Sequence, residues 1–473
     1  MSEIKLTWGQ QKAFDTFKAF LEDDTVKVYI LKGYAGTGKT TLMRKFIEEM
    51  QKRQLQFSLL ASTGRAAKIL ANVTGCETKT VHSEIYKFRG LNQDLEEEVK
   101  KRDNLKQDSS GQLFLNFELD TVAGDSTSYY IVDEASMISD AEDKNTTQAI
   151  FGSGRLLTDL FRYDEGGKFI FVGDVCQLPP VSQNISPALS QEYIADNFEH
   201  KSMEGELTEV VRQSKDVDIV RSAHQVRGLF YAPQPWKWAK FPFRGYKDIH
   251  VLNSQTTLIN DYIRRLKESG FNNATLICYS NKQCDATTRL LRPSFGHVQP
   301  TLEKGDLLLV TQNNLISGLM NGDLVVVEDI GLPEKRAGLT FLKVSVKELF
   351  TKKNYSQLMI AEVLYGNQTN ILQFQQRELF IDYYYRMKEK GIKQKSKEFH
   401  DNMFTDQYLN ALRAVFGYAL TCHKAQGGEW DYVYLDIPKN VPAIEKPYVY
   451  QWVYTAMTRA RKGLYVVDNF WVV

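Results

Sequence analysis

Eight consecutive residues, Gly33-Tyr34-Ala35-Gly36-Thr37-Gly38-Lys39-Thr40, have the spacing G-x-x-x-x-G-K-[ST]. Glycines at that spacing let backbone N–H groups curl around phosphate oxygens, and a helix opening behind them adds a favourable dipole. Gly33, Gly36, Thr37, Gly38 and Thr41 are read as the cradle of a nucleoside triphosphate, ATP. Lys39 would reach its β- and γ-phosphates, and the Thr40 hydroxyl would ligate Mg²⁺. A second constellation is Asp133-Glu134, two adjacent carboxylates directly after the apolar run YYIV. Asp133 is the candidate for holding Mg²⁺ through water, and Glu134 for polarising an attacking water. A third is Gly173-Asp174-Val175-Cys176-Gln177-Leu178-Pro179-Pro180. Its prolines could simply mark a rigid turn. Alternatively, Gln177 emerges beside the same phosphates, where an amide can sense the γ-phosphate or orient water.

These groups converge only if the segments before them are strands of one sheet. VKVYIL (26–31), FSLLAS (57–62), YYIVDE (129–134) and KFIFVGD (168–174) read as buried strands, with amphipathic stretches between most of them. That alternation predicts a parallel sheet covered by helices. It breaks between about Phe88 and Ser128, where a charged helix and a hairpin containing GQLFLNFEL are expected. A second α/β pattern starts near Gly205, with TLICYS (275–280) as a strand and a helix through CDATTRLLR. From Leu302 the strands GDLLLVTQ, GDLVVVEDI, LTFLKVSV and QLMIAEVL follow closely, with turns at Asn321-Gly322 and Gly338, predicting a small β-barrel or sandwich. A charged helical segment, FQQRELFIDYYYRMKEKGIKQKSKEF, precedes the returning strands VFGYALTCH (415–423), YVYLDI (432–437) and LYVVDN (464–469). The simplest architecture is two α/β domains, each carrying an insertion.

Composition narrows the partners. The chain has 473 residues, 43% hydrophobic and 25% charged, which excludes disorder as its main state. Lys+Arg 59 against Asp+Glu 58 leaves a formal net charge of +1, so no whole-molecule field draws in a polyanion. A nucleic acid would be held by a local basic and aromatic groove. Cys76, Cys176, Cys278, Cys284 and Cys422 form no C-x-x-C pair, which argues against a disulfide framework or a zinc site. The sequence MSEIKLTWGQQ has no apolar leader, and no run approaches eighteen apolar residues. A reduced, cytoplasmic protein with no membrane partner is expected.

The order of segments resembles superfamily 1B helicases, the RecD/Pif1/Dda-like group. After the phosphate loop come ASTGRAAKIL (61–70), TVHS (80–83), DEASM (133–137), GDVCQLPPV (173–181) and LTEVVRQ (207–213). YSNKQCDATTRLLR (279–292), LTCHKAQGGEWD (420–431) and VYTAMTRAR (453–461) complete the series, and Leu6-Thr7-Trp8-Gly9-Gln10 resembles the N-terminal glutamine motif. The resemblance spans nearly the whole chain and implies two RecA-like domains clamping one ATP. It implies that Gln10 reads the adenine edge and that Arg212 and Arg459 reach the γ-phosphate from the second domain. It makes Gln426 the link between this site and the DNA track, and Thr63, His82 and His423 contacts to the strand. His82 or His423 taken alone reads more readily as a satisfied structural histidine.

By this resemblance residues 1–88 and 128–204 form one RecA-like domain, with 89–127 as its wedge-bearing insertion. Residues 205–300 and 410–473 form the second, with 301–409 as an SH3-like β-barrel plus a charged helical segment. Phe114 and Phe117 are candidate wedge aromatics, with a hairpin core as the equal alternative. YAPQPWKWAKFPFRGY (231–246) and IDYYYRMKEK (381–390) offer either stacking faces or core. The implied activity is ATP-dependent 5′→3′ movement on single-stranded DNA by a monomer that unwinds forked duplex, in replication, recombination or repair. With no long N-terminal extension or nuclease motif, a stand-alone small motor is expected. The competing readings are a DNA-stimulated translocase that displaces proteins without unwinding, a non-catalytic DNA-binding subunit and a small-molecule kinase. Two positions depart from the family pattern. Ser62 replaces a proline, predicting a more mobile turn, and Ala425 replaces a serine, removing one expected strand contact.

Overall fold

The computed structural model describes residues 5–92, 94–96, 115–122, 128–142, 149–211, 217–366 and 370–473. The first half of the chain builds a six-stranded sheet in the order Thr78–Thr80, Phe57–Ala61, Tyr129–Asp133, Lys168–Gly173, Val28–Gly33, Ser202–Leu207. Every pairing in it is parallel. Because strand side chains alternate, Val28–Gly33 feeds two cores. Tyr29 and Leu31 pack with Phe17, Phe20, Leu42 and Phe46 from helices Trp8–Glu22 and Lys39–Lys52. Val28 and Ile30 pack on the opposite face with Leu157, Leu160 and Ile194 from helices Leu156–Tyr163 and Gln191–Phe198. A sheet buried on both faces accounts for the near-continuous apolar runs.

The second half builds a five-stranded parallel sheet, Ile249–Leu252, Ala460–Val467, Trp430–Asp436, Ala274–Cys278, Leu420–Thr421. Two parallel sheets, each with helices on it, are the expected α/β fold class. A five-stranded antiparallel sheet is inserted in the second half, ordered Asn354–Ile360, Leu339–Glu348, Leu324–Arg336, Leu307–Val310, Ala414–Phe416. Its turns fall at Gly322 and Gly338, as the sequence indicates. QLMIAEVL is shorter as a strand than expected: it stops at Ile360, and Ala361–Tyr365 is helical. VFGYALTCH also divides. Ala414–Phe416 pairs with Leu307–Val310 in the antiparallel sheet, whereas Leu420–Thr421 joins the second parallel sheet.

A three-stranded sheet links Tyr86–Leu91, Leu115–Leu119 and Ala149–Phe151. Phe117 takes the core alternative there, stacked on Phe151 at 4.8 Å between ring centroids and edge-on to Phe88 at 5.5 Å. Phe114 and the charged stretch before it lie outside the described residues. The aromatic run after Ile381 is likewise mostly core. Tyr383 and Tyr384 are buried on helix Gln373–Glu389 and pack with Phe399, Met403 and Leu95. Leu95 belongs to the first insertion, so the two insertions share an apolar cluster. In the stretch 231–246, Ala239, Phe241 and Phe243 are buried while Tyr231 and Trp236 are exposed.

Candidate nucleotide and nucleic-acid site

The phosphate loop leaves Val28–Gly33 at its carboxyl end and enters helix Lys39–Lys52. Gly36 and Gly38 have φ of 78° and 79°, the left-handed region that a side chain disfavours. No side chain caps the helix at Gly38, so its first N–H groups are available to an anion. Lys39 Nζ donates to the Gly33 carbonyl at 2.8 Å and the Tyr34 carbonyl at 3.3 Å, holding the ammonium in the concavity of the loop. Thr37 is buried with its hydroxyl on the Tyr34 carbonyl, Thr40 is exposed, and Thr41 is half-buried. Gln10 is fixed at both ends of its amide. Its oxygen accepts from Thr7 N–H at 3.0 Å, and its nitrogen donates to the Thr37 carbonyl at 3.2 Å. The predicted adenine reader thus touches the phosphate loop itself.

Asp133 ends the strand Tyr129–Asp133, two strands from the loop. Burial and the neighbouring Glu134 carboxylate push Asp133 up to about 7, opposed by Lys39. A carboxylate short of counter-charge beside an ammonium and an open helix N-terminus suits a hydrated divalent cation on phosphate. Glu134 has φ 52° and ψ 39°, a conformation costing a non-glycine residue roughly 1–2 kcal/mol. Nearby, the Ser136 hydroxyl is buried without a hydrogen-bond partner. Ser62, in place of proline, donates its N–H to the Asp133 carbonyl at 3.4 Å, a tie that proline could not make.

The turn after Lys168–Gly173 is gripped by the second half of the molecule. Gln177 is 3% exposed, and its side-chain oxygen has no hydrogen-bond partner. Its main-chain oxygen accepts from Gln451 Nε2 at 3.2 Å. Leu178 N–H donates to Thr455 Oγ1 at 2.8 Å, and the Leu178 carbonyl accepts from Gln426 Nε2 at 3.2 Å. Asp174, fully buried, accepts from the Tyr454 hydroxyl at 2.8 Å, and that hydroxyl accepts Ala35 N–H at 2.9 Å. Tyr34, Cys176 and Leu178 are part of the apolar core of the second sheet.

Arg459 is buried, and its contacts are to uncharged oxygens. Nε donates to the Thr455 carbonyl at 3.1 Å, Nη1 to the Gly428 carbonyl at 3.4 Å and Nη2 to Thr458 Oγ1 at 3.3 Å. Among the described residues no carboxylate pairs with this buried guanidinium, which leaves it poised for an anion. Arg212 lies outside the described residues.

The three predicted strand contacts follow carboxyl strand ends. Thr63 and His82 each stand two residues beyond a register pair, Ala61 and Thr80, of neighbouring strands. Thr63 caps helix Gly64–Thr74 by accepting from Ala66 N–H at 3.2 Å. His82 is exposed, edge-on to Phe151 at 5.2 Å. His423 is half-buried after Leu420–Thr421, and burial lowers its basicity, leaving a neutral imidazole at pH 7. A Cβ placed on Gly427 would lie 3.6 Å from Thr63 Oγ1, so the loops of Thr63 and Gln426 meet. Ala425 is fully buried, so a hydroxyl there would face core rather than a strand.

Sequence reasoning missed Asp174, Tyr454, Gln451, Thr455 and Arg65. Gln451 and Thr455 stand one turn apart on the otherwise apolar helix Tyr448–Met457, a signal that two polar groups share a face. Arg65 comes from the first half and lies over the Trp430 ring at 4.6 Å, with Nη1 lacking a hydrogen-bond partner. Beside it, Lys68 pairs with the buried Asp323, and a Cβ on Gly64 would collide with Met320. The five cysteines are free, no group of three or more metal-ligating side chains occurs among the described residues, and no described helix is long and apolar enough to cross a membrane. Mg²⁺ held by one or two protein oxygens plus phosphates needs no such group.

Residues 5–228 match an AAA domain family (AAA_30), and residues 416–467 match the UvrD-like helicase C-terminal domain. The chain is 25% identical over 439 residues to the ATP-dependent RecD2 DNA helicase of Deinococcus radiodurans, covering 92% of this chain and 46% of that protein. It is 25% identical over 487 residues to an uncharacterized protein of Methanocaldococcus jannaschii, covering 93% of this chain and 36% of that one. It therefore spans less than half the length of both relatives. Among solved structures, the Bacteroides Pif1 helicase in complex with ADP-AlF3 and ssDNA aligns over 99% of this chain and 93% of that chain. The TM-score is 0.46 at 17% sequence identity.

Proposed function

We propose that the chain is an ATP-dependent DNA helicase of the RecD/Pif1-like group of superfamily 1B, a reading supported by the AAA and UvrD-like helicase C-terminal matches and by the similarity to a RecD2 helicase. It moves 5′→3′ on single-stranded DNA and unwinds forked duplex, by coupling hydrolysis to relative motion of two RecA-like domains. The observation that carries this reading is the cleft itself. The phosphate loop and the Gln177 turn of the first sheet are hydrogen-bonded to Tyr454, Gln451, Thr455 and Gln426 of the second half. A kinase-like single domain has no use for that arrangement.

The chemistry is phosphoryl transfer to water, governed by positioning and charge. The loop amides of Gly36, Thr37 and Gly38 and the N-terminus of helix Lys39–Lys52, including Thr41, hold the phosphates, with Lys39 countering their charge. Gln10 reads the base. Thr40 and Asp133 would hold Mg²⁺, which would supply positive charge against the negative charge developing on the phosphates. Glu134, the left-handed residue directly after the strand end, polarises the water. Gln177, with an unspent amide oxygen, orients that water or senses the γ-phosphate. Arg459 and Arg212 bring positive charge from the second domain.

Thr63, His82 and His423 contact the sugar–phosphate backbone without reading sequence. Gln426 joins that track to the cleft, because its loop meets Thr63 while its amide holds Leu178. The antiparallel sheet and helices Gln373–Glu389 and Lys397–Thr405 would form the second insertion, with two adjustments to the expected division. Strand Ser202–Leu207 runs past residue 204 within the first sheet, and Ala414–Phe416 pairs in the antiparallel sheet although residues 410–473 are expected in the second domain.

Strand displacement on forked substrates with a 5′ or a 3′ single-stranded tail, with ATP and Mg²⁺, tests this directly. Unwinding from the 5′ tail alone is expected. Unwinding from the 3′ tail alone would reverse the polarity. DNA-stimulated hydrolysis without unwinding would favour the translocase reading.

A further inference from the structure

Among the groups around the cleft, one hydroxyl has both of its hydrogen-bonding functions committed across it. Tyr454 is 2% exposed and sits on helix Tyr448–Met457 of the second half. Its single proton goes to Asp174 Oδ2 at 2.8 Å, and its oxygen accepts Ala35 N–H at 2.9 Å. Ala35 is the third residue of the phosphate loop. The other oxygen of Asp174 accepts Cys176 N–H at 3.0 Å, which pins the turn leading to Gln177. We propose that Tyr454 is a positioning residue for ATP hydrolysis, whose hydroxyl holds the phosphate loop, the Gln177 turn and Arg459 in one register. The proposal rests on the ATP-hydrolysing reading above.

The link to Arg459 runs through the neighbouring residue. Thr455 accepts Leu178 N–H through its hydroxyl and Arg459 Nε through its carbonyl. Residues 454 and 455 therefore set three things at once: the apex of the loop, the orientation of the turn and the root of the arginine. Packing alone does not require the hydroxyl, since phenylalanine would fill the same volume. It would leave the Ala35 N–H and one Asp174 oxygen buried and unpaired, so the loop and the turn would shift to find other partners.

A second grip keeps the loop docked when Tyr454 is altered. Tyr34 donates to Glu206 at 2.8 Å, meets the Tyr231 hydroxyl at 3.1 Å and lies under the Arg227 guanidinium at 3.8 Å. Tyr454→Phe should consequently lose register rather than the whole interface.

The test is steady-state ATP hydrolysis with saturating single-stranded DNA, alongside binding of a fluorescent ADP and thermal melting. Tyr454→Phe is expected to lower kcat about 10-fold while KM for ATP and ADP affinity stay within about 2-fold. In an Arg459→Ala background the same substitution should cost almost nothing further, because both act through one arrangement. Asp174→Asn, which keeps the side-chain shape but weakens the acceptor, should reproduce the kcat loss without the KM change. It serves as the reporter if Tyr454→Phe melts below the assay temperature. Wild-type kcat in both single variants would overturn the proposal. So would a raised KM with kcat intact, or losses that multiply fully in the double variant. If the unaltered protein hydrolyses no ATP, the parent reading falls instead, and a wild-type chain active beside a normal Tyr454→Phe isolates the failure here.

Discussion

Lys39 donates to two carbonyls of its own loop, so its charge is already placed where phosphate oxygens would replace them. Lys39→Ala should reduce hydrolysis by about 10³-fold or more, measured as phosphate release, since no other described ammonium reaches the loop. Glu134 makes the opposite point about cost. Its φ of 52° is unfavourable for any side chain, and the strand could end more comfortably on glycine. Glu134→Gly should raise folding stability by about 0.5–1 kcal/mol in urea unfolding while abolishing hydrolysis. A strained carboxylate at a strand end fits the water-polarising role proposed for it. The sequence made these residues legible, because phosphate cradles and strand-end carboxylates need fixed residue types at fixed spacing. It did not reveal that Asp174 is tied to the loop through the Tyr454 hydroxyl, since an aspartate after glycine carries no such signature.

The turn Gly173–Pro180 has its apolar side in the core of the second parallel sheet, and Leu178 is fully buried there. Leu178→Ala should cost about 2–5 kcal/mol in chemical denaturation, the range for a core leucine, although a loop residue would ordinarily cost little. Strands of four or more residues were largely readable, as both-face burial writes them in β-branched and aromatic runs. Ala414–Phe416 and Leu420–Thr421 were not separable, because two or three residues carry no alternation and their partners are chosen by tertiary contact. Helix Tyr448–Met457 hid its role for a different reason. From Val449 to Met457 it is wholly buried, so the pair Gln451 and Thr455 is the one polar mark of the side that touches the first half, and two such residues in an apolar run read as readily as satisfied core groups. Phe117, whose two readings were balanced, went to the core because Phe88 and Phe151 flank it on the neighbouring strands.

The two halves touch at the cleft, at Arg65 and Lys68 against Trp430 and Asp323, and through Leu95 among the aromatics of the second insertion. Arg459 belongs wholly to the second half by its hydrogen bonds. Arg459→Ala should therefore keep nucleotide binding within about 3-fold yet lose most DNA-stimulated hydrolysis, a split that equilibrium binding and turnover assays read separately. Normal turnover in that variant would dissociate the second half from the chemistry. The apolar continuity of the cleft has a thermal consequence as well. Tyr34, Cys176 and Leu178 lie in the core of the second sheet, so a parting of the two halves, as the proposed cycle requires, would wet hydrocarbon. Wetting hydrocarbon carries a positive heat-capacity change, and its penalty weakens on cooling. A turnover cycle that includes such a parting should trace a curved Arrhenius plot between about 5 and 40 °C, and Leu178→Ala should straighten it.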